Sequence, residues 1–183
     1  MIRTFAVLGD PVFRRLWVGS SATGLATWAV PFILGLHLVA GGISPEQLGV
    51  LLAVRTAGFL LVMPLAGVIA DLWSPARSVG LFGATAVVGT LLLAAGCWPG
   101  IGDMTAGLFV VAVVGAIFVG AGQGAVRPAF QTLIAANVAP AQRQAANAAN
   151  TLSVRVVVVI APALAAVGGR VLGVPALLVI TAA

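Results

Sequence analysis

The chain has 183 residues, 61% of them apolar and only 7% charged, with a net charge of +5 and a pI near 11.7. Every basic residue is an arginine and the longest basic run is Arg14-Arg15, so the clustered, solvated patch that would hold a nucleic acid is absent. No metal-ligand cluster, catalytic triad or phosphate-cradling glycine loop stands in the sequence, which argues against an enzyme; neither a metal nor a cofactor is expected.

The few charges fall in short gaps between apolar runs of about 20 residues or more, the length that crosses a ~30 Å hydrocarbon core at ~1.5 Å per residue. The expected fold is therefore an all-α integral membrane bundle: five full transmembrane helices plus a truncated sixth, in a single membrane domain over 1–183. The first span covers 16–39, too long for the ~7–15-residue apolar stretch of a signal peptide. Thr27, Trp28 and Pro31 lie midway along it. His37 lies one turn from its far end, as an interface residue or a proton relay.

Ser44-Pro45-Glu46-Gln47 opens the second span, 47–70, with Ser as N-cap, Pro at the first helical position and Gln closing a capping box. Ser74-Pro75 repeats the signal before the third span, 76–97. The single Cys97 excludes an intrachain disulfide and reads as a packing residue. A tight turn follows, with Asp103 as expected N-cap of the fourth span, 104–126. The segment 127–147, holding Pro128 and Pro140, is expected as a longer polar connection. The fifth span, 146–167, is entered through Asn147 and Asn150. Gly173-Val174-Pro175 opens a sixth helix of about 13 residues, or roughly 20 Å, too short to cross; the sequence reads as cut within it.

With the N-terminus in the cytoplasm, the inner segments hold Arg3, Arg14, Arg15, Arg77, Arg127 and Arg143, and the outer ones only Arg170. That asymmetry is the positive-inside pattern of a multi-pass protein of the cell (inner or plasma) membrane. Trp17, Trp73 and Trp98 fall at the expected interfaces. Small residues spaced by four, namely Ala116, Gly120 and Gly124, then Ala161, Ala165 and Gly169, then Ser20 and Gly24, provide stripes for close helix crossings.

Two arginines interrupt the apolar runs. Arg55 and Arg155 both count to mid-membrane, where an Arg costs ~2.5–3.5 kcal/mol on insertion scales. Each either snorkels or pairs with a backbone carbonyl, or forms a cationic wall for an anionic or polar substrate. No span carries an acidic residue, so a carboxylate partner must come from elsewhere. Arg55 precedes Pro64 and Arg155 precedes Pro162 on oppositely directed helices, a weak echo of an inverted repeat.

The segment from Gly67 to Arg77, GVIADLWSPAR, sets Gly67 one turn before Asp71, with Arg77 opening the next helix. Gly67 would admit a neighbouring helix and Asp71 would accept hydrogen bonds from a helix start, forming a clasp. This segment resembles the loop between spans two and three of the major facilitator superfamily, keeping Gly67, Ala70, Asp71 and Arg77 but departing at Leu72 and Ser74-Pro75. Phe13-Arg14-Arg15-Leu16-Trp17, Arg127-Pro128-Ala129-Phe130-Gln131 and Ala145-Ala146-Asn147-Ala148 are similar to the drug and enterobactin exporter branch. Gln123-Gly124 matches the fourth-span motif, but Gly120 stands where that motif carries Arg. Ala161-Pro162 and Ala165-Ala166 stand where the exporter motif has Gly-Pro and paired glycines.

The resemblance implies the N-terminal half of a secondary transporter, exporting a small molecule by alternating access. Gly67, Asp71 and Arg77 would form its cytoplasmic gate, and Trp28, Arg55, Gln123 and Arg155 would face its substrate cavity. Trp28 would stack on a substrate or simply pack. The implied partners are the lipid bilayer, an unidentified substrate, and a missing C-terminal half or second copy. The alternatives are a truncated, non-transporting membrane fragment and a half-transporter acting as a dimer.

Overall fold

The computed structural model describes residues 6–72, 74–98 and 105–182, with the side chains of all but Ala6, Ala70 and Asp71. After a 3-10 turn at Ala6–Gly9 come α1 (Pro11–Val39), α2 (Pro45–Leu72), α3 (Pro75–Gly96) and α4 (Ala106–Asn137). A second 3-10 turn, Pro140–Gln142, leads into α5 (Arg143–Leu172) and α6 (Val174–Ala182). Five helices are long and apolar enough to cross a membrane, and no strand occurs among the described residues. In α6 nine residues rise only ~14 Å, far short of a bilayer core.

Helix starts follow the side-chain chemistry. Asp10 Oδ1 accepts from the Val12 amide at 2.8 Å, with Pro11 at the first helical position, so α1 begins before the expected residue 16. At α2 the capping box is complete: Gln47 N–H donates to Ser44 Oγ (3.2 Å) and Ser44 N–H to Gln47 Oε1 (2.8 Å). Ser74 caps α3 through the Arg77 amide at 3.3 Å. The expected cap Asp103 lies outside the described residues, as does Trp73; α4 is capped by Thr105, whose Oγ1 accepts from Leu108 N–H at 3.4 Å.

One expectation is corrected. The stretch 127–147 is not a long polar connection, because α4 runs straight through Pro128 to Asn137. A proline inside a helix removes one donor. The turns that follow still bury Ala129, Phe130 and Ile134, so packing carries the helix past the lost bond.

The fourth helix is the central post. Its two faces lie against α2 and α3, while α1 pairs with α5 and meets α6. A Cβ on Gly120 would collide with the Arg55 backbone of α2, and one on Gly124 would come within 2.7 Å of Phe59 O. On the other face, Gly115 and Gly122 meet α3 equally closely at Gly89 and at Phe82–Ala86. Helix pairing in lipid gains little from apolar burial and depends on such contact. Ala161 and Ala165 of α5 are buried, and a Cβ on Gly169 would lie 2.8 Å from Leu36 of α1. Side chains such as Val159 (75% exposed) and Leu61 (71% exposed) point outward, an arrangement suited to acyl chains and not to water.

Candidate functional site

A cavity of about 330 Å³ opens between four helices. From α1 it is lined by Ser20, Thr23, Gly24, Thr27, Trp28 and Pro31; from α2 by Arg55, Thr56 and Phe59; from α4 by Gln123, Val126, Arg127 and Phe130; from α5 by Asn150 and Val154. Each set follows helical spacing. Thr23, Thr27 and Pro31 are four apart, and Gln123, Val126, Arg127 and Phe130 stand at i, i+3, i+4 and i+7.

Arg55 is the centre of this arrangement. Its Nη2 donates to the Thr27 carbonyl at 2.9 Å and to Gln123 Oε1 at 2.6 Å. The first bond has a cause in the sequence. Pro31 has no N–H, so the carbonyl four residues earlier, that of Thr27, lacks its usual helical donor. The guanidinium of α2 occupies that vacant acceptor. Gln123, only 5% exposed, turns its oxygen to the cation because only that end of the amide accepts. One proline, one arginine and one glutamine thereby tie α1, α2 and α4 together at mid-bundle.

The rest of Arg55 is less well served. Its Nε is buried without a partner, and among the described residues neither Nε nor Nη1 makes a hydrogen bond. Around it, Thr23, Thr27 and Thr56 each donate their hydroxyl proton to a carbonyl one turn back in their own helix, at 2.7–2.9 Å. They face the cavity as acceptors only. Trp28, 39% exposed, offers an indole face, and Phe59 and Phe130 supply two more rings.

At its edge the cavity is closed by a polar ladder between α1 and α5. Trp17 Nε1 donates to Ala149 O (3.2 Å), Ser20 Oγ to Asn150 Oδ1 (3.4 Å), and the Ser21 and Ser153 hydroxyls bond each other. Asn147, by contrast, is exposed.

Three of the four residues expected at a cavity, Trp28, Arg55 and Gln123, thus share one lining. Arg155 does not join them; it is exposed on α5, away from this cavity. Thr23, Thr56, Phe59, Arg127 and Phe130 line the cavity as well without having been expected there, although Phe59 lies on the helical stripe through Arg55, and Arg127 and Phe130 on the one through Gln123.

The expected clasp is less complete. A Cβ on Gly67 would meet nothing within 4 Å, so no helix approaches it closely in this conformation. Arg77 is exposed and its amide serves the Ser74 cap; Asp71 lies in the last turn of α2, and its side chain is outside those described.

A second hollow, at the end of the bundle opposite Arg77, is bordered by His37, Cys97, Trp98 and Arg170. Cys97, just past the end of α3, is 2% exposed, and burial pushes its thiol up to about 12. Such a thiol packs and does not react.

Comparison with the curated proteins and with the solved structures gives no match. The family described as the Major Facilitator Superfamily matches residues 16–183, nearly the whole chain. With five spanning helices around a polar mid-bundle cavity, this match places the chain among multi-pass membrane transporters: it belongs to the major facilitator superfamily.

Proposed function

We propose that the chain is one six-helix half of a secondary transporter that exports a small molecule across the cell membrane, with its N-terminus in the cytoplasm. The observation that carries this reading is the Arg55 node. A guanidinium held at mid-bundle by Thr27 O and Gln123, with Trp28 beside it in an open cavity, is costly in lipid and useful to a polar solute. Alternating access rocks one bundle against another around a mid-membrane site. The second bundle is a C-terminal half or a second copy of this chain. Gly67, Asp71 and Arg77 steady the cytoplasmic side when that side is shut, and Trp28, Arg55 and Gln123 serve the substrate path.

The test is transport in everted membrane vesicles bearing the chain, given a panel of fluorescent organic solutes in the outer medium and energised with an ion gradient. Accumulation above vesicles lacking the protein supports export by a self-paired half. Accumulation only in right-side-out vesicles reverses the direction. Flux that appears in neither excludes the second-copy form of the carrier.

A further inference from the structure

We infer that the ligand of the four-helix cavity is a compact organic carboxylate with an aromatic body, its acid group on Arg55 and its ring among Trp28, Phe59 and Phe130; this rests on the cavity being a substrate path. The lining holds two arginines, Arg55 and Arg127, and no carboxylate. A cationic solute entering it meets two like charges with nothing to offset them. A neutral apolar solute displaces water from the guanidinium without replacing the lost acceptors, which leaves a desolvated, uncompensated charge. A carboxylate supplies both the counter-charge and the acceptors.

The hydrogen-bond inventory narrows the docking point. Both protons of Arg55 Nη2 are committed, one to Thr27 O and one to Gln123 Oε1. Nη1 makes no bond among the described residues and Nε is buried without one, so the unspent donors of this side chain await an acceptor that the protein does not provide. The hydroxyl oxygens of Thr23, Thr27 and Thr56 do not accept from this side chain, whose two bonds go to the Thr27 carbonyl and Gln123. With both Nη2 protons spent, neither two-bond edge of the guanidinium is open, and the ligand oxygen docks by charge and by a single charge-assisted N–H···O bond from Nη1. The aromatic body follows from the remaining lining, where three rings and an aliphatic wall surround a space of about 330 Å³.

Three probes of one shape separate the possibilities: 2-naphthoate, 2-naphthylmethanol and 2-naphthylmethylammonium, titrated at neutral pH against the detergent-purified chain by tryptophan-fluorescence quenching. The expected result is binding of 2-naphthoate at least about tenfold tighter than the alcohol or the ammonium. Arg55→Gln should remove that preference. Arg55→Lys, which keeps the cation, should retain most of it, and Arg155→Gln, on an exposed side chain, should leave it unchanged. Retention in R55K also guards against a folding defect in R55Q. A cavity-filling variant, Thr56→Trp, should block all binding. If the alcohol or the ammonium binds as well as the acid and T56W blocks it, the carboxylate assignment is overturned while the substrate path stands. If none of the probes binds, or T56W leaves binding intact, the substrate path itself is wrong and the ligand class falls with it.

Discussion

A guanidinium in the middle of a membrane helix persists only where acceptors come to it. Arg55 has them because Pro31 freed a carbonyl on α1 and Gln123 of α4 faces it; the exposed Arg155 shows no such partners among the described residues. The link between Pro31 and Arg55 is open to measurement. Replacing the proline by alanine restores an amide that can bond Thr27 O, so the guanidinium becomes partly redundant there. In a double-mutant cycle followed by unfolding in detergent, Arg55→Gln should cost about 1 kcal/mol less in the Pro31→Ala background than in the native one. Equal costs in both backgrounds would show that the carbonyl does not depend on Arg55. Cys97 gives a second test at this scale. Burial raises its thiol to about 12, so the protonated form persists well above the ordinary thiol value and the thiolate is scarce near neutrality. The folded chain should resist alkylation by a maleimide at about pH 8, where an ordinary exposed thiol reacts readily, and should react once it is unfolded. Because the folded value is the raised one, the stability tied to this burial is present at neutral pH and is lost only as pH climbs through the alkaline range.

Along α4 the same reasoning becomes a question of faces. Thirty-two residues give a rod of ~48 Å, longer than the bilayer core, and its glycines are not equivalent. Gly120 and Gly124 lie against α2, directly behind Arg55 and Phe59; Gly115 and Gly122 lie against α3. Adding a methyl at Gly120 drives it into the Arg55 backbone, which separates α2 from α4 and pulls the guanidinium away from Gln123. Gly120→Ala should therefore destabilise the detergent-solubilised chain by about 1–3 kcal/mol. Gly83→Ala on α3, where a Cβ meets nothing within 4 Å, should be neutral or gain up to ~1 kcal/mol of helix propensity. A matched thermal-unfolding pair reads the difference directly, and equal shifts for the two variants would deny the close α2–α4 contact. The spacing of Gly120 and Gly124 was legible as a packing stripe in the sequence. Which helix each stripe meets was not, since periodicity marks a face without naming its partner.

Across the whole molecule, the spans were legible because a bilayer leaves the backbone one local solution: each run must close its hydrogen bonds as a helix, so hydropathy and length suffice. The caps at Ser44 and Ser74 were legible for a similar reason, being local. What escaped was tertiary. Pro128 looked like a boundary because a lost amide is local information, while the burial that carries α4 past it is not. Arg55 and Arg155 looked alike, each a lone cation among aliphatic residues, and only the neighbouring helices tell them apart. Topology joins these scales and can be measured. Three crossings, α2, α3 and α4, separate Ala40 from Gln142, so the two positions must lie on opposite sides of the membrane if all three helices span. Both residues are exposed, and the buried Cys97 provides a quiet background for single-cysteine labelling. In intact cells a membrane-impermeant maleimide should label Ala40→Cys, while Gln142→Cys should react only after permeabilisation, as the arginine asymmetry requires. The inverse pattern would turn the molecule over and would put the Arg77 end outside. Labelling of both from one side would mean that one of the three helices does not cross, and the cavity of α1, α2, α4 and α5 could not then sit at mid-membrane.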